Sequence, residues 1–460
     1  MLQPLETKDW TVQAAAHLLN RAAFGGTPGE IQKLHSMGHA AAVRSLLDAG
    51  EELDLFPPPA LEPLAARMEA IKKENLDEAA SAERKQQERQ RARQDEIHLR
   101  HWWLHRMRET PNPAREKATL FWHGHWATGI RKVDDPFLMH QQNETLRAHA
   151  LGPFAPFAKE LTRDPAMMVY LDLQSNSSKN PNENFAREVM ELFTLGEGNY
   201  SEKDISEAAR AFTGYRLNRE TGRFVYNIRQ HDSGEKSILG KTGNLTGDDV
   251  IDLIAEKPGC AEFLAAKIWT FYAGTPPSEP LQKALGEEYR RNGMDTGKLL
   301  RTIFSSREFY GPKVVRKQIK SPVHWLVQMC KALEIPIPDP KVSQPLLTNL
   351  GQNLFEPPNV KGWDGGRAWI SSSTLLVRYN AAGAVVRGSG GSGPDIDRIA
   401  PPDMPPDRMA DAVAWRLFQS PMPPPLRERT LAFLAEKGTS RASRRDLLHL
   451  LMATPEFQLA

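Results

Sequence analysis

One short segment, from Pro181 to Gly196, concentrates side chains that could move protons or hold a metal ion. Its first proline can open a helix and its last glycine can close one, so we expect a helix across the segment. Glu183, Arg187 and Glu191 then fall four residues apart on one face, and Glu188 lies on an adjacent stripe. Three carboxylates beside one guanidinium suit acid–base or metal chemistry, or they pair with one another on a solvated helix.

The apolar segments on either side of this helix favour a catalytic or metal-binding role for its polar face. An apolar segment, Ala166–Leu173, precedes it and another, ending at Phe212, follows it, so the polar face is expected to be partly enclosed. Enclosed carboxylates need a cation to offset the loss of water. We therefore predict that Glu188 and Glu191 are catalytic and that Arg187 steadies an anionic group of the substrate.

A second candidate is the run Phe121, Trp122, His123, Gly124, His125, Trp126. A His-x-His pair shares one face of a strand, as metal sites often require, whereas a helix separates the two imidazoles by about 200 degrees. The surrounding aromatic side chains predict a tight pocket. We expect His123 and His125 to be metal ligands; structural hydrogen bonding is the alternative.

A third candidate, His231 with Asp232, follows a stretch in which apolar and polar residues alternate around a Glu-Thr-Gly turn, the pattern of a β-hairpin over 213–232. His231 could act as a base, with Asp232 as its partner or as a ligand. The alternative is a local turn in which the Asp232 side chain caps the next segment.

Together these motifs predict a metal-dependent hydrolase-like enzyme with one converging site. The predicted metal ligands are His123, His125, Glu183 and Asp232. The predicted catalytic residues are Glu188, Glu191, Arg187 and His231. Oxygen and imidazole ligands suit zinc, manganese, magnesium or calcium, and the residues do not choose among them. The rival hypothesis is a non-enzymatic binding or scaffold protein in which the same side chains form a structural network.

The elements that must position these residues are mainly α-helical, because apolar residues recur at three-to-four spacing along most of the chain. A charged helical arm with interspersed signs should project from a single body. The predicted divisions are a body over 10–386 with the arm at 62–110 and the hairpin at 213–232, a Gly/Pro-rich linker at 387–407, and a C-terminal helical segment at 408–460 that resembles a repeat of 267–310.

Composition excludes several classes of protein. Lysine and arginine number 59 and aspartate and glutamate 57, and the net charge of +2 argues against a nucleic-acid partner. Two cysteines, Cys260 and Cys330, exclude a cysteine-rich metal site. No window approaches the ~18 apolar residues of a membrane span. Without a signal peptide the chain as written is expected to be cytoplasmic, or exported if a signal was removed.

The ordered motifs resemble a bacterial family, domain-of-unknown-function family 1800, from about Trp10 to the chain end. The matching runs are HLLNRAAFG at 17–25, FWHGHW at 121–126, MVYLD at 168–172, PNENFAREVMELFTLGEGNYSEKDI at 181–205, AFTGY at 211–215, HDSGEKSILG at 231–240 and PPNVKGWDGG at 357–366. Gly124 and Tyr215 depart from the residues that relatives commonly carry, Asn and Trp. The resemblance implies a helical protein, and relatives often carry export signals.

The resemblance also implies a partner. Genes of this family frequently neighbour those of family 1501, whose fold resembles sulfatases. A sulfatase-like family 1501 protein is thus one expected partner, and polysaccharide or another carbohydrate, or an anionic small molecule, is the expected ligand. The resemblance supplies no reaction.

Overall fold

The computed structural model describes residues 2–48, 50, 56–74, 76–388 and 393–460. Within these ranges the protein is mainly α-helical, as predicted, with 24 α-helices and two small antiparallel sheets. None of the helices in these ranges is long and apolar enough to cross a bilayer.

The first twelve helices carry or support the predicted site residues. They are α1 Val12–Ala22, α2 Pro28–Ser36, α3 His39–Leu47, α4 Leu64–Lys73, α5 Glu78–Glu109, α6 Pro113–His125, α7 Ile130–Val133, α8 Pro136–His149, α9 Phe154–Thr162, α10 Pro165–Tyr170, α11 Glu183–Glu188 and α12 Glu202–Ala211. A π-helical turn, Val189–Thr194, continues α11.

Four short strands and twelve further helices follow. They are β1 Tyr215–Asn218, β2 Arg223–Tyr226, β3 Lys236–Ile238, β4 Lys241–Gly243, α13 Gly247–Ala255, α14 Pro258–Ala273, α15 Glu279–Arg291, α16 Thr296–Ser305, α17 Pro322–Leu333, α18 Pro340–Asn349, α19 Ser372–Val386, α20 Ile396–Ile399, α21 Pro406–Phe418, α22 Pro424–Lys437, α23 Arg441–Ala453 and α24 Pro455–Gln458.

Local sequence sets many of the helix starts. Thr27, Ser201 and Thr246 each form a capping box, in which the hydroxyl accepts from the third backbone N–H and an acidic side chain bonds back. Asn182 accepts from Asn184 N–H and starts α11. These caps satisfy backbone donors that would otherwise lack partners, which fixes where each helix begins.

The charged arm consists of α4 and α5, which pack against each other. The buried residues of α5 lie mostly in its last eleven positions, where Leu99, Trp103 and Met107 reach the body, and Ala92 is the buried exception further back. Arg67 of α4 is buried and pairs with Glu88 at 3.2 Å. The last eleven residues of α5 therefore anchor the arm to the body, whereas most of the N-terminal part of α5 is not buried.

The predicted hairpin is present as β1 and β2, with Tyr215 opposite Tyr226. Gly222 in its turn has φ +63°, and a Cβ there would lie 2.7 Å from Phe137 Cε1. A glycine is required at this position because of both the backbone conformation and the close approach of α8. A second hairpin, β3 with β4, was not predicted, because strands of three residues are too short to show alternation.

Two hydrophobic cores lie side by side in the described residues. One gathers around α1, α14 and α16, and the other joins the end of α5 and α17 to the C-terminal helices. Within the predicted linker, residues 389–392 lie outside the described ranges, and Ile396 and Ile399 of α20 are buried. The division into body, linker and C-terminal segment stays a prediction.

A buried ion network anchors the arm to α6. Arg147 donates to both oxygens of the buried Glu116 carboxylate, Arg106 Nε donates to it at 2.8 Å, and Trp103 Nε1 donates at 2.8 Å. Burial alone would raise the pKa of Glu116, but the charge and hydrogen bonds of Arg147, with Arg106 and Trp103, lower it below its ordinary value. This network fixes the position of the helix that carries the His-x-His pair.

We expect Glu116→Gln to lower the free energy of unfolding by about 3–5 kcal/mol, because it leaves buried guanidinium groups without their charge partner. Denaturant unfolding measures this change. Since a lowered pKa stabilises the fold above the ordinary value near 4.5 and the benefit is lost in acid, the difference should shrink as pH falls. Glu279→Gln, which removes an exposed pair with Lys283, is the control and should change nothing measurable. Equal behaviour of the two variants would contradict the anchoring role.

Candidate functional site

The segment predicted to carry the chemistry is helical, and its second half is a π turn. Leu195 N–H donates to Met190 C=O at 2.9 Å, a bond across five residues, and the Thr194 hydroxyl donates to Val189 C=O at 2.6 Å. π turns are rare in proteins as a whole, but those that occur are often found at functional sites. The extra residue changes the directions of the side chains around it. Gly196, at φ +75°, follows the turn.

Side chains from two other helices form hydrogen bonds with carbonyl groups of this turn. His125 Nε2, on α6, bonds to Phe193 C=O at 2.9 Å, and Lys267 Nζ, on α14, donates to Leu192 C=O at 3.1 Å. Burial, followed by the charge of Lys267, lowers the pKa of His125 well below its ordinary value, and burial lowers that of Lys267 to about 8. The imidazole of His125 is therefore neutral at pH 7, and it donates to the carbonyl.

His123 faces a different neighbour, as expected for two histidines separated by about 200 degrees on a helix. Its Nε2 accepts the N–H of Phe355 at 3.0 Å, and burial lowers its pKa to about 3. Its ring lies 5.7 Å from that of Trp363. Gly362, at φ +81°, contacts α6 so closely that a Cβ there would overlap the carbonyl oxygen of Gly124. The loop before α19 is thus held against the His-x-His pair.

The two glutamates predicted to be catalytic lie at the join between α11 and the π turn. Both are half-buried. Tyr200 donates its hydroxyl to Glu191 Oε2 at 3.1 Å. In the described residues, no hydrogen bond or ion pair engages the Glu188 side chain. Glu188 is therefore a carboxyl group held partly away from water with no fixed partner.

The electrostatic surroundings of Glu188 favour its protonated form. Burial, followed by the charge of Glu191, raises the pKa of Glu188, and Arg187 and Lys361 offset part of that rise. Burial, followed by the charge of Glu188, raises the pKa of Tyr170. We call Glu188, Glu191, Tyr170, Tyr200 and Lys361 the carboxylate face.

Arg187 and Glu183 form an ion pair within the same helix. Arg187 donates to Glu183 at 3.3 Å and more closely to Glu202 of α12 at 2.8 Å. The hydrogen bond to Glu202, followed by the charges of Glu202 and Glu183, raises the pKa of Arg187 above its ordinary value. The pairing of Arg187 with Glu183 is the arrangement that the structural-network hypothesis predicts.

His231 and Asp232 lie apart from the carboxylate face. His231 Nδ1 bonds to Thr213 C=O at 3.0 Å, and Asp232 pairs with Arg210 at 2.7 Å. Asp232 also accepts from Gly234 N–H, which makes the local turn considered from sequence. Arg210 and Glu202 are eight residues apart on α12, which is about 12 Å along the helix axis. Asp232 therefore pairs with one end of α12, and Arg187 pairs with the other end.

The structure thus brings together two of the three predicted motifs, the His-x-His helix and the glutamate segment, and leaves the third separate. In the described ranges, no group of three or more His, Cys, Asp or Glu side chains is placed to hold a metal ion. The four predicted ligands His123, His125, Glu183 and Asp232 each have a different local partner instead. With these separate partners, the four side chains do not form one shared metal centre in the described residues.

Sequence reasoning missed three members of the carboxylate face, Tyr170, Tyr200 and Lys361. All three lie in runs that were noted for other reasons: MVYLD, PNENFAREVMELFTLGEGNYSEKDI and PPNVKGWDGG. A polar cavity of about 590 Å³ between α13 and α15, lined by Asp252 and Arg290 among others, contains none of the predicted site residues. The face is therefore defined by contacts around the π turn.

Comparison with known proteins agrees with the order of the motifs. A family model described as a protein of unknown function (DUF1800) matches residues 17–459. No curated protein and no solved structure is found to match the chain. The match includes the α6 helix, the π turn and the loop that contacts them. The chain belongs to the DUF1800 family.

Proposed function

We propose that the protein is a hydrolase-like enzyme in which Glu188 is the general acid and Glu191 the second carboxylate. The observation that carries the proposal is Glu188 itself, which is half-buried, unpaired in the described residues and next to a like charge that raises its pKa. Such a group keeps its proton closer to neutral pH than an exposed glutamate does. Glu116, a carboxylate with a structural role, is instead paired with two arginines.

The chemistry needs two roles. Glu188 donates its proton to the leaving oxygen as the bond to that oxygen breaks, and Glu191 accepts a proton from the attacking water. Tyr200 fixes the orientation of Glu191 through its hydrogen bond. Two carboxylates with opposite roles are the arrangement of many enzymes that hydrolyse glycosidic bonds.

The substrate class we propose is carbohydrate. Tyr170 and Tyr200 belong to the face, and the half-buried Trp363 lies two residues beyond Lys361 in the loop that contacts α6. Aromatic side chains offer apolar surfaces with polar edges, which suit sugar rings. Lys361 is exposed and supplies a positive charge for an acidic sugar or another anionic group.

A divalent metal ion is a separate proposal for the same face. Magnesium is commonly held by one or two carboxylates together with waters and substrate oxygens, so Glu188 and Glu191 could take one without further protein ligands. Assays run with added magnesium, manganese, calcium or zinc, and again after chelation, decide this point. Equal rates in all conditions would contradict a role for a metal ion in the reaction.

The second candidate function is a non-enzymatic carbohydrate-binding or scaffold protein, for which a family 1501 sulfatase-like protein is one proposed partner. It is favoured by the use of His123, His125 and Arg187 in internal bonds. Affinity electrophoresis in polysaccharide gels separates the two candidates. Retardation without release of reducing ends supports binding alone.

We expect Glu188→Gln and Glu191→Gln each to lower the rate of reducing-end release from soluble polysaccharides or nitrophenyl glycosides by about 10²–10⁴-fold, because each removes an acid–base group. The wild-type rate should fall as pH rises through the raised pKa of Glu188, where its proton is lost. Glu197→Gln, an exposed glutamate that follows the same segment, is the control and should keep the wild-type rate. Full activity in both face variants would contradict the assignment.

Stability distinguishes a reactive face from a structural network. A raised pKa means that ionised Glu188 destabilises the fold, so stability is present at low pH and falls as pH rises through the folded-state pKa. Glu188→Gln, which mimics the protonated form, should therefore raise the thermal midpoint at pH 7 and leave it nearly unchanged at pH 4. A clear decrease at pH 7 would show that Glu188 holds the fold together.

A further inference from the structure

A group of buried basic side chains lies where α1, α6, α17 and α19 meet. Arg21, Lys117, His324 and Arg378 come from these helices, and Lys320 precedes α17. All five are buried. We call them the cationic core. The carboxylate face does not use them, and they were not singled out by sequence reasoning.

No aspartate or glutamate side chain among the residues that the structure describes pairs with the cationic core. Arg21 donates to the backbone carbonyls of Tyr272 and Val314 and to the main-chain oxygen of Ala460, and Lys320 donates to the carbonyl of Phe457. Arg378 donates to Gln458 Oε1 and to the carbonyl of Lys320. Amide and peptide oxygens satisfy hydrogen bonds but carry no net charge, so they do not neutralise the charge of Arg378.

Lys117 makes a single polar contact in the described residues. Its Nζ lies 3.2 Å from His324 Nδ1, and its other neighbours are the rings of Phe24 at 4.7 Å and Phe271 at 5.8 Å. The second imidazole nitrogen, His324 Nε2, is buried and has no hydrogen-bond partner. The same holds for Nε of Arg21 and of Arg378.

The other four groups of the core repel the charged form of His324. Burial, followed by the charges of Lys117, Lys320, Arg21 and Arg378, lowers the pKa of His324 well below its ordinary value. Burial lowers the pKa of Arg21 to about 9 and that of Arg378 to about 10, so both guanidinium groups are still charged at pH 7. Proton loss from lysine and histidine relieves part of the repulsion but leaves two buried charges and several unused donors.

We propose that the cationic core is a binding site for a small inorganic anion, which accepts the unused N–H groups and offsets the buried charge. Water could accept the same hydrogen bonds, but only an anion also supplies negative charge. Chloride and a tetrahedral oxyanion such as phosphate share this chemistry. The site is independent of the carboxylate face and of the proposed reaction.

The test compares thermal unfolding in chloride, phosphate and gluconate at one ionic strength. We expect the wild-type midpoint to rise with the logarithm of chloride or phosphate concentration, because a ligand that binds the folded state stabilises it by mass action. Lys117→Met should lose this response. Lys298→Met, which removes an exposed lysine of α16, should keep it and thus controls for general salt effects.

A second measurement covers the case in which Lys117→Met does not fold. Wild-type protein exchanged into gluconate is denatured in acid, and the released chloride and phosphate are measured by ion chromatography. Either about one retained anion per chain or an anion-specific rise of the wild-type midpoint supports the site. The ion that produces this result is the one that the site binds. No retained anion together with equal midpoints in all three salts would overturn the proposal in favour of water and proton loss.

Discussion

The arrangement of the candidate site depends on satisfying the backbone of one π turn. Val189–Thr194 departs from the regular helical pattern, and carbonyls in it accept from His125 on α6 and Lys267 on α14. These bonds hold three separate helices at fixed distances, because buried carbonyls without partners are costly. The carboxylate face forms where the turn begins, so its geometry follows from the same constraint.

Some of this could be predicted from sequence because it depends on neighbours in the chain. The helix from Pro181 to Gly196 has end signals within its own segment, and the β1–β2 hairpin has its own turn residues. The π turn could not be predicted, since its partners lie about 70 residues away on either side. Glu188 and Glu191 of the face were identified from sequence, whereas Tyr170 and Lys361 become part of it only through tertiary packing.

The histidines show the same limit. The His-x-His pair packs among aromatic rings. The hydrogen-bond partner of His123 is Phe355, 232 residues away, and this contact could not be predicted from sequence. The cationic core gives no sequence signal, because Lys117 and His324 are 207 residues apart and each looks ordinary in its helix. α6 carries both Lys117 and the His-x-His pair. One helix therefore links the buried charge, the π turn and the arm anchored by Glu116.

The central claim is that burial, followed by the charge of Glu191, raises the pKa of Glu188 and keeps it protonated to a higher pH than an ordinary glutamate. Titration of the side-chain carboxyl ¹³C resonance of Glu188, in the wild type and in Glu191→Gln, measures this most directly. We predict a Glu188 midpoint above the ordinary glutamate value of 4.5, and a fall of that midpoint in the variant as the neighbouring charge is removed. A Glu188 midpoint at the ordinary value that does not change in Glu191→Gln would contradict this claim.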